Sequence, residues 1–344
     1  MGCAYKKRGG TMILNLEPRS EWDIKDSSKL DEYLRCPRSY FYHYVLGWVL
    51  DFPAHDLYFG EAWHRAREYQ LLHGYDDVQG AYNAFLSCYR QYFAPEDDDM
   101  HKPKTPTGVL NALMKFAEER SNDLVENEVV EIDGTKMTEI SGTVPVDNNR
   151  FLNYRMDSIM RRLSDGKIFS WDHKTTVEKY IASPQWAEQF YLSVQNGTYT
   201  HCLYCMFPIE QVLGIEFCGT GFAFLSRGSS YRPAGFYATF RRVPAYKTPD
   251  QMNAWLWTVN TVLDSIERDM DRLYHCSDSD EVLMAFPMNG TSCTDYKGCP
   301  YHDYCLSWAN PLRSCEEPPL GFREEFWNPA KKEASVIKNL KWKE

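Results

Sequence analysis

The stretch Phe169–Thr176, FSWDHKTT, places an acid and a lysine two residues apart at the end of an apolar, strand-forming run. Residues so spaced share one face of a strand, so Asp172 and Lys174 project into one space. An isolated D-x-K is most often a surface ion pair on an edge strand, worth little. Here a second acid lies just upstream, in YRMDSIM. Asp165-Gly166 turns the chain between the two segments, which puts Asp157 and Asp172 on neighbouring strands of a hairpin, where same-face side chains meet. Two carboxylates and a lysine at one point suit a hard divalent cation, with the lysine offsetting part of the negative charge. Such an ion lowers the pKa of a bound water and polarises a phosphoryl oxygen. The lysine orients that water or stabilises the charge that develops. That is the chemistry of phosphodiester hydrolysis.

The elements that must hold these groups follow from periodicity and turn residues. Ser28 with Asp31 reads as a capping box opening a helix that stops near Cys36, before Pro37. A second, aromatic-rich helix, RSYFYHYVLGW, follows, and residues 59–126 are helical with a break around APEDDDMHKPKTPTG. From NEVVEI onward the pattern becomes strands separated by Asp133-Gly134, Asp147-Asn148-Asn149 and Asp165-Gly166. One helix is expected from Pro184 to about Met206, then strands near 212–226 and 235–243 and an amphipathic helix over 251–273. The chain from Phe286 reads as cysteine-bearing loop. FGEAWHRA puts His64 on a helix opening after Gly60, and QNGTY puts Gln195 and Tyr199 four apart on the helix after the site strand. Alone, each would be a packed histidine or an ordinary helix face.

Bulk properties set limits. An apolar share of 43% and an aromatic share of 15% are ample for a packed core in a chain of 344 residues. A net charge of -10 argues against a non-specific, histone-like grip on nucleic acid, but leaves room for a carboxylate metal site. The basic clusters Lys6-Lys7-Arg8, Arg161-Arg162, Arg241-Arg242 and the lysines of the 331–343 tail read as solvated faces. No window approaches the roughly 20 apolar residues of a membrane span. The start, MGCAYKKRGG, has no apolar leader core, so a cytoplasmic location and reduced thiols among the eleven cysteines are expected.

The order His64, Asp157, Asp172-x-Lys174, Gln195-x-x-x-Tyr199 resembles the PD-(D/E)XK nuclease superfamily. It is similar in particular to the RecB-like exonucleases, with their CRISPR-associated and phage-encoded relatives. The likeness runs from SSKLDEYLRCPRSYFYHYVLGW to CPYHDYC. It implies an α/β fold, a central mixed sheet flanked by helices, with a helical N-terminal section and a C-terminal cysteine clasp. It implies Mg²⁺ or Mn²⁺ held by His64, Asp157, Asp172 and the main-chain carbonyl of His173, the imidazole tilting the choice towards Mn²⁺. Lys174 would be the catalytic lysine, with Gln195 and Tyr199 contacting DNA or supporting the site. The His173 side chain has no expected role. Protonation of His64 should make activity fall below about pH 6.

The cysteines SCTDYKGCPYHDYC supply Cys293, Cys299 and Cys305, and Cys36 is the natural fourth. Some RecB-like nucleases resemble this layout, one cysteine before the core and three after it, around a [4Fe-4S] cluster clasping the chain's two ends. The C-x5-C-x5-C spacing lacks the C-x2-C step of some relatives, which leaves structural zinc open and Cys315 as a substitute ligand. Cys202 and Cys205 read as buried core thiols. The expected organisation is an extension over 1–25, a helical section with Cys36 and His64 over 26–126, a nuclease core over 127–275, and a clasp and tail over 276–344. The expected function is a metal-dependent DNA nuclease, exonuclease-like, in replication, recombination or repair, in a bacterial cell or phage-encoded in the host cytoplasm. The alternative is a non-catalytic DNA-binding subunit of a recombination or repair complex.

Overall fold

Glycine, asparagine and aspartate turns cut the middle of the chain into strands that assemble as one mixed sheet. The structure, a computed structural model, describes residues 16, 18–52, 54–295, 298–331 and 334–342. The segment MGCAYKKRGG, with its Lys6-Lys7-Arg8 cluster, and Lys332 and Lys343 of the tail lie outside the described residues. The chain divides into two units, residues 1–52 with 258–328 and residues 53–257 with 329–344. Cys36 falls in the first and His64 in the second.

The second unit is built on helices α2 (His55–His73), α3 (Val78–Tyr89) and α4 (Pro106–Glu119) and a seven-stranded sheet. Its strands are β1 (Asn127–Val129), β2 (Thr138–Pro145), β3 (Phe151–Arg162), β4 (Ile168–Val177), β5 (Val212–Leu225), β6 (Gly235–Tyr246) and β7 (Val336–Ile337). The order is β7-β2-β3-β4-β5-β6, with β1 also paired to β3. The β4–β5 and β7–β2 pairs are parallel and the rest antiparallel. Parallel β4 and β5 need a crossover, supplied by α5 (Pro184–Tyr191) and α6 (Val194–Met206). These are two helices where one was expected. The Ser193 hydroxyl accepts from the Asn196 amide at 3.2 Å and starts a new helix there. Likewise α2 begins at His55 and Gly60 lies inside it.

Phe59, Trp63, Phe85, Val109, Leu113 and Phe222 form the core that packs α2, α3 and α4 on β5. On the other face Trp186 of α5 lies against Gly219 of β5, where an added Cβ would fall 2.3 Å from the indole ring. Arg161 and Arg162 pair with Glu128 and Asp165 at 2.9 and 2.7 Å, as befits solvated positions.

In the first unit α1 (Ser27–Arg35) is capped by Asp26 rather than by a Ser28–Asp31 box. The Asp26 carboxylate accepts from the Lys29 amide at 2.9 Å, and its other oxygen accepts from Trp327 Nε1 at 2.7 Å. That long-range bond selects the cap. Phe41–Val45 winds as a π-helix, and Tyr42 stacks on Trp48 and Tyr301 with centroids 5.5 and 5.2 Å apart. The long helix α7 (Pro249–Leu273) begins in the larger unit and continues into the smaller.

Candidate functional site

Strands β3 and β4 pair only as far as Ser158 and Trp171, then part. The next residue on each is an acid, Asp157 and Asp172. The carboxylate of Asp157 takes over where the ladder ends, accepting the His173 amide at 2.6 Å. On the other side of β3, Thr138 pairs with Ser158 and Ile140 with Met156, so Glu139 of β2 stands opposite Asp157. Glu139, Asp157 and Asp172 thus form one lateral row of carboxylates across three adjacent strands.

Glu139 was not singled out by sequence reasoning. It is 1% exposed and has φ +43°, a backbone conformation that a non-glycine residue rarely adopts without a functional constraint. Arg155, two residues before Asp157, holds it with Nε and Nη2 at 3.0 and 2.7 Å. The available signal was an acid in the strand before Asp157, but parity along a hairpin says nothing about a third strand.

Helix α2 packs across β2, β3 and β4 and delivers His64 to the row. His64 Nδ1 lies 3.0 Å from Asp157 Oδ1 and 3.9 Å from Glu139 Oε1. Burial works against a charged imidazole, but Asp157, Glu139 and Asp172 outweigh it and hold His64 above its ordinary 6.5. Burial also opposes ionisation of Asp157, yet His64, His173 and Lys174 keep it well below the usual carboxylate range. Asp172 and Glu139 are pushed the other way, first by burial and then, against their cationic neighbours, by the charge of Asp157.

Lys174 Nζ sits 2.7 Å from Oδ1 of the buried Asp172 as an ion pair. On α6, Gln195 Nε2 donates to the Tyr199 hydroxyl at 2.9 Å. Burial, then Asp172 and Asp157, raise Tyr199 far above its usual pKa and keep it protonated. The His173 side chain is 3% exposed and kept neutral by burial beside Arg67, its Nε2 unpartnered.

The donor set fits a divalent cation. Among the described residues, ligand atoms of His64, Glu139 and Asp157 lie within 4.8 Å of one another. The Asp172 carboxylate, whose Oδ1 meets Lys174 Nζ, adds a fourth hard donor. Three carboxylates in a row repel one another unless a cation lies among them.

A family model for the PD-(D/E)XK nuclease superfamily matches residues 27–306. The chain belongs to that superfamily. Its members are nucleases, hydrolases that typically use Mg²⁺ or Mn²⁺. The mixed sheet flanked by helices is the superfamily's restriction-endonuclease-like fold. Comparison with curated proteins found no match. No helix among the described residues is long and apolar enough to cross a membrane.

The predicted thiols gather within the first unit. Cys36 sits between α1 and the short helix Pro37–Tyr40, and its Sγ accepts the Asn289 amide at 3.4 Å. Cys36, Cys293 and Cys299 line one cleft with Arg35, Ser39, Asn289 and Ser292. Burial pushes the Cys305 thiol up to about 11, and Arg38, Cys299, Cys36 and Cys293 all act on it. Arg38 is 3% exposed with Nη1 unpartnered. The Cys315 thiol, raised to about 11 mainly by burial, has Glu316 as its charged neighbour and none of these cysteines. In the larger unit Cys202 is fully buried on α6 and Cys205 is half-buried.

Proposed function

We propose that this PD-(D/E)XK nuclease is a RecB-like, metal-dependent DNA exonuclease carrying a [4Fe-4S] cluster. The observation that carries the catalytic reading is the carboxylate row Glu139–Asp157–Asp172, with His64 against Asp157 and Glu139 and Lys174 against Asp172. His64, Glu139, Asp157, Asp172 and the main-chain carbonyl of His173 are the residues that would hold Mg²⁺ or Mn²⁺. Such an ion, when bound, polarises the phosphoryl oxygen and acidifies water. The remaining work falls to the chain. Lys174 Nζ, anchored on Asp172, orients the attacking water and stabilises charge on the non-bridging oxygens. Tyr199 keeps its proton and, with its oxygen accepting from Gln195, has that proton available for a carboxylate or phosphate oxygen.

Support for the cluster comes from the grouping of Cys36, Cys293, Cys299 and Cys305 and from Arg38, whose orphaned Nη1 suits an anionic neighbour.

The test is cleavage of end-labelled single- and double-stranded DNA by anaerobically purified protein with Mn²⁺, Mg²⁺ or EDTA, wild type beside Lys174→Ala. Metal-dependent release of label from an end, lost in the variant, is expected. A cluster-loaded protein that binds DNA and cuts nothing overturns the reading in favour of a binding subunit.

A further inference from the structure

From Phe217 to Pro249 the sequence contains no acidic residue and five basic ones, in a chain whose net charge is -10. These residues make β5 beyond Glu216, all of β6 and the hairpin turn between them. In lateral register Lys174 faces Gly219 on β5, which faces Arg241 on β6. Lys174 and Arg241 therefore share one sheet face, about 10 Å apart at two strand spacings. The Arg241 guanidinium is held by the carbonyls of Ile181 and Ser183 at 2.8 and 2.7 Å, so no carboxylate offsets its charge there. Within this stretch Arg232 and Arg242 are paired with Glu178 and Asp123, whereas Arg241 carries its charge with no carboxylate against it.

The ribbon ends in a braced tip. Arg232 is locked to Glu178, just beyond the site strand, by two bonds of 2.8 Å, and it lies over the Tyr237 ring. Tyr237 in turn donates to the Pro233 carbonyl at 2.7 Å. The Ser229 hydroxyl accepts the amides of Tyr231 and Arg232, which closes the turn. Two side chains are left over. Tyr231 is 94% exposed, and neither its ring and hydroxyl nor the Arg227 guanidinium has a side-chain partner among the described residues. A fixed turn presenting one uncommitted guanidinium and one uncommitted ring has the two elements of single-strand recognition, a phosphate contact and a stacking platform. Exposing a tyrosine to this degree serves no packing purpose.

We propose that the β5–β6 hairpin tip is a grip for single-stranded DNA, Arg227 on a phosphate and Tyr231 stacked on an unpaired base. This rests on the nuclease reading above and adds a second contact remote from the scissile bond. Leu225 is six residues beyond Gly219, so the tip lies about 20 Å from Lys174 at roughly 3.3 Å per residue. That span corresponds to about six stacked nucleotides at 3.4 Å each.

The experiment is fluorescence anisotropy of the full chain in EDTA against an oligo-dT length series, with cleavage of the same series in Mn²⁺. Wild type is compared with Tyr231→Phe, Tyr231→Ala and the double variant Arg227→Ala/Tyr231→Ala. Wild-type affinity should step up once the oligonucleotide exceeds about six nucleotides. The double variant should lose about tenfold of the ratio between long and short oligonucleotides, and its salt slope should shrink by about 0.7. Tyr231→Phe should retain the step and Tyr231→Ala should not, which separates stacking from a hydroxyl contact. An unchanged length series overturns the proposal, as does an equal loss at every length. If wild type cleaves nothing, the nuclease reading fails while the binding series still decides the grip.

Discussion

Glu139 and Asp157 face each other across adjacent strands, and one nitrogen, His64 Nδ1, lies 3.9 Å from the first and 3.0 Å from the second. Opposed like charges weaken a sheet, and here the backbone of Glu139 is itself held at φ +43°. Arg155 takes one oxygen of Glu139; the other is left towards the imidazole. A fold optimised for stability alone would not arrange a buried carboxylate in this way, which is what makes Glu139 a candidate ligand for the proposed cation.

Glu139→Gln keeps the size and an acceptor for Arg155 while removing the charge. Affinity for Mn²⁺, measured by calorimetry, should fall at least about tenfold. The metal-free protein should melt at the same temperature or higher, because repulsion with Asp157 is relieved. If the variant binds Mn²⁺ normally, Glu139 has no part in the metal site.

Lys174→Ala separates charge stabilisation from metal binding. The lysine's contact is with Asp172 Oδ1, so its removal frees a carboxylate oxygen. Mn²⁺ should bind as well or more tightly, while turnover falls by about 10²–10³, the usual effect of removing one transition-state donor. Parallel losses of binding and turnover would make Lys174 a structural residue.

The hairpin made Asp157, Asp172 and Lys174 legible in the sequence, because strand parity and one turn fix their relation. Glu139 was hidden for the converse reason. Its place depends on the register of a further strand, and its left-handed backbone breaks the alternation that would reveal it. Local signals also misled at helix ends. Ser28 and Asp31 offer a capping box, but Asp26 wins because Trp327, some 300 residues away, bonds its second oxygen. The single helix expected over 184–206 divides because Ser193 caps a new one, a choice that apolar periodicity does not display. Arg241 and Arg242 look alike in sequence. Adjacent strand residues face opposite ways, so Arg242 reaches Asp123 at 2.6 Å while Arg241 donates to the carbonyls of Ile181 and Ser183.

The pH dependence should sit higher than the reference histidine implies. The carboxylate row raises His64 above 6.5, and a protonated imidazole cannot ligate. Mn²⁺ affinity should therefore decline as pH falls through a value above 6.5, by about tenfold per unit below it. In the metal-free protein the sign reverses. The raised pKa contributes stability that is complete below the unfolded value near 6.5 and is lost as pH rises through the folded value. Titration of Mn²⁺ binding from about pH 5.5 to pH 8.5 should show the decline in wild type and a much flatter profile in His64→Gln. A wild-type midpoint below the reference value would show that the imidazole is not charged by its neighbours.

Gly219→Ala tests the packing that separates Lys174 from Arg241. Its methyl group would fall 2.3 Å from the Trp186 ring, which Arg241 also covers. Overpacking of this kind costs about 1–3 kcal/mol, read as a lowered denaturation midpoint. Unchanged stability would mean that the α5 face repacks freely.

The thiol cluster makes a prediction that divides iron from zinc and Cys305 from Cys315. Anaerobically purified wild type should be brown, absorb broadly in the visible and carry iron and labile sulfide. Cys36→Ser, Cys293→Ser, Cys299→Ser and Cys305→Ser should each lose that absorbance. Cys315→Ser should keep it, since the Cys315 thiol has none of the four as a neighbour. Because binding free energy at a structural site is folding free energy, the four variants should also melt lower, in the unit built from residues 1–52 and 258–328. Cys36 tests this most sharply. It is contributed by the N-terminal segment and the other three by the C-terminal one, so in the proposed cluster its loss would remove the ligand that ties the N-terminal segment to the inorganic core. Colourless protein with one tightly held zinc per chain would assign the site to zinc.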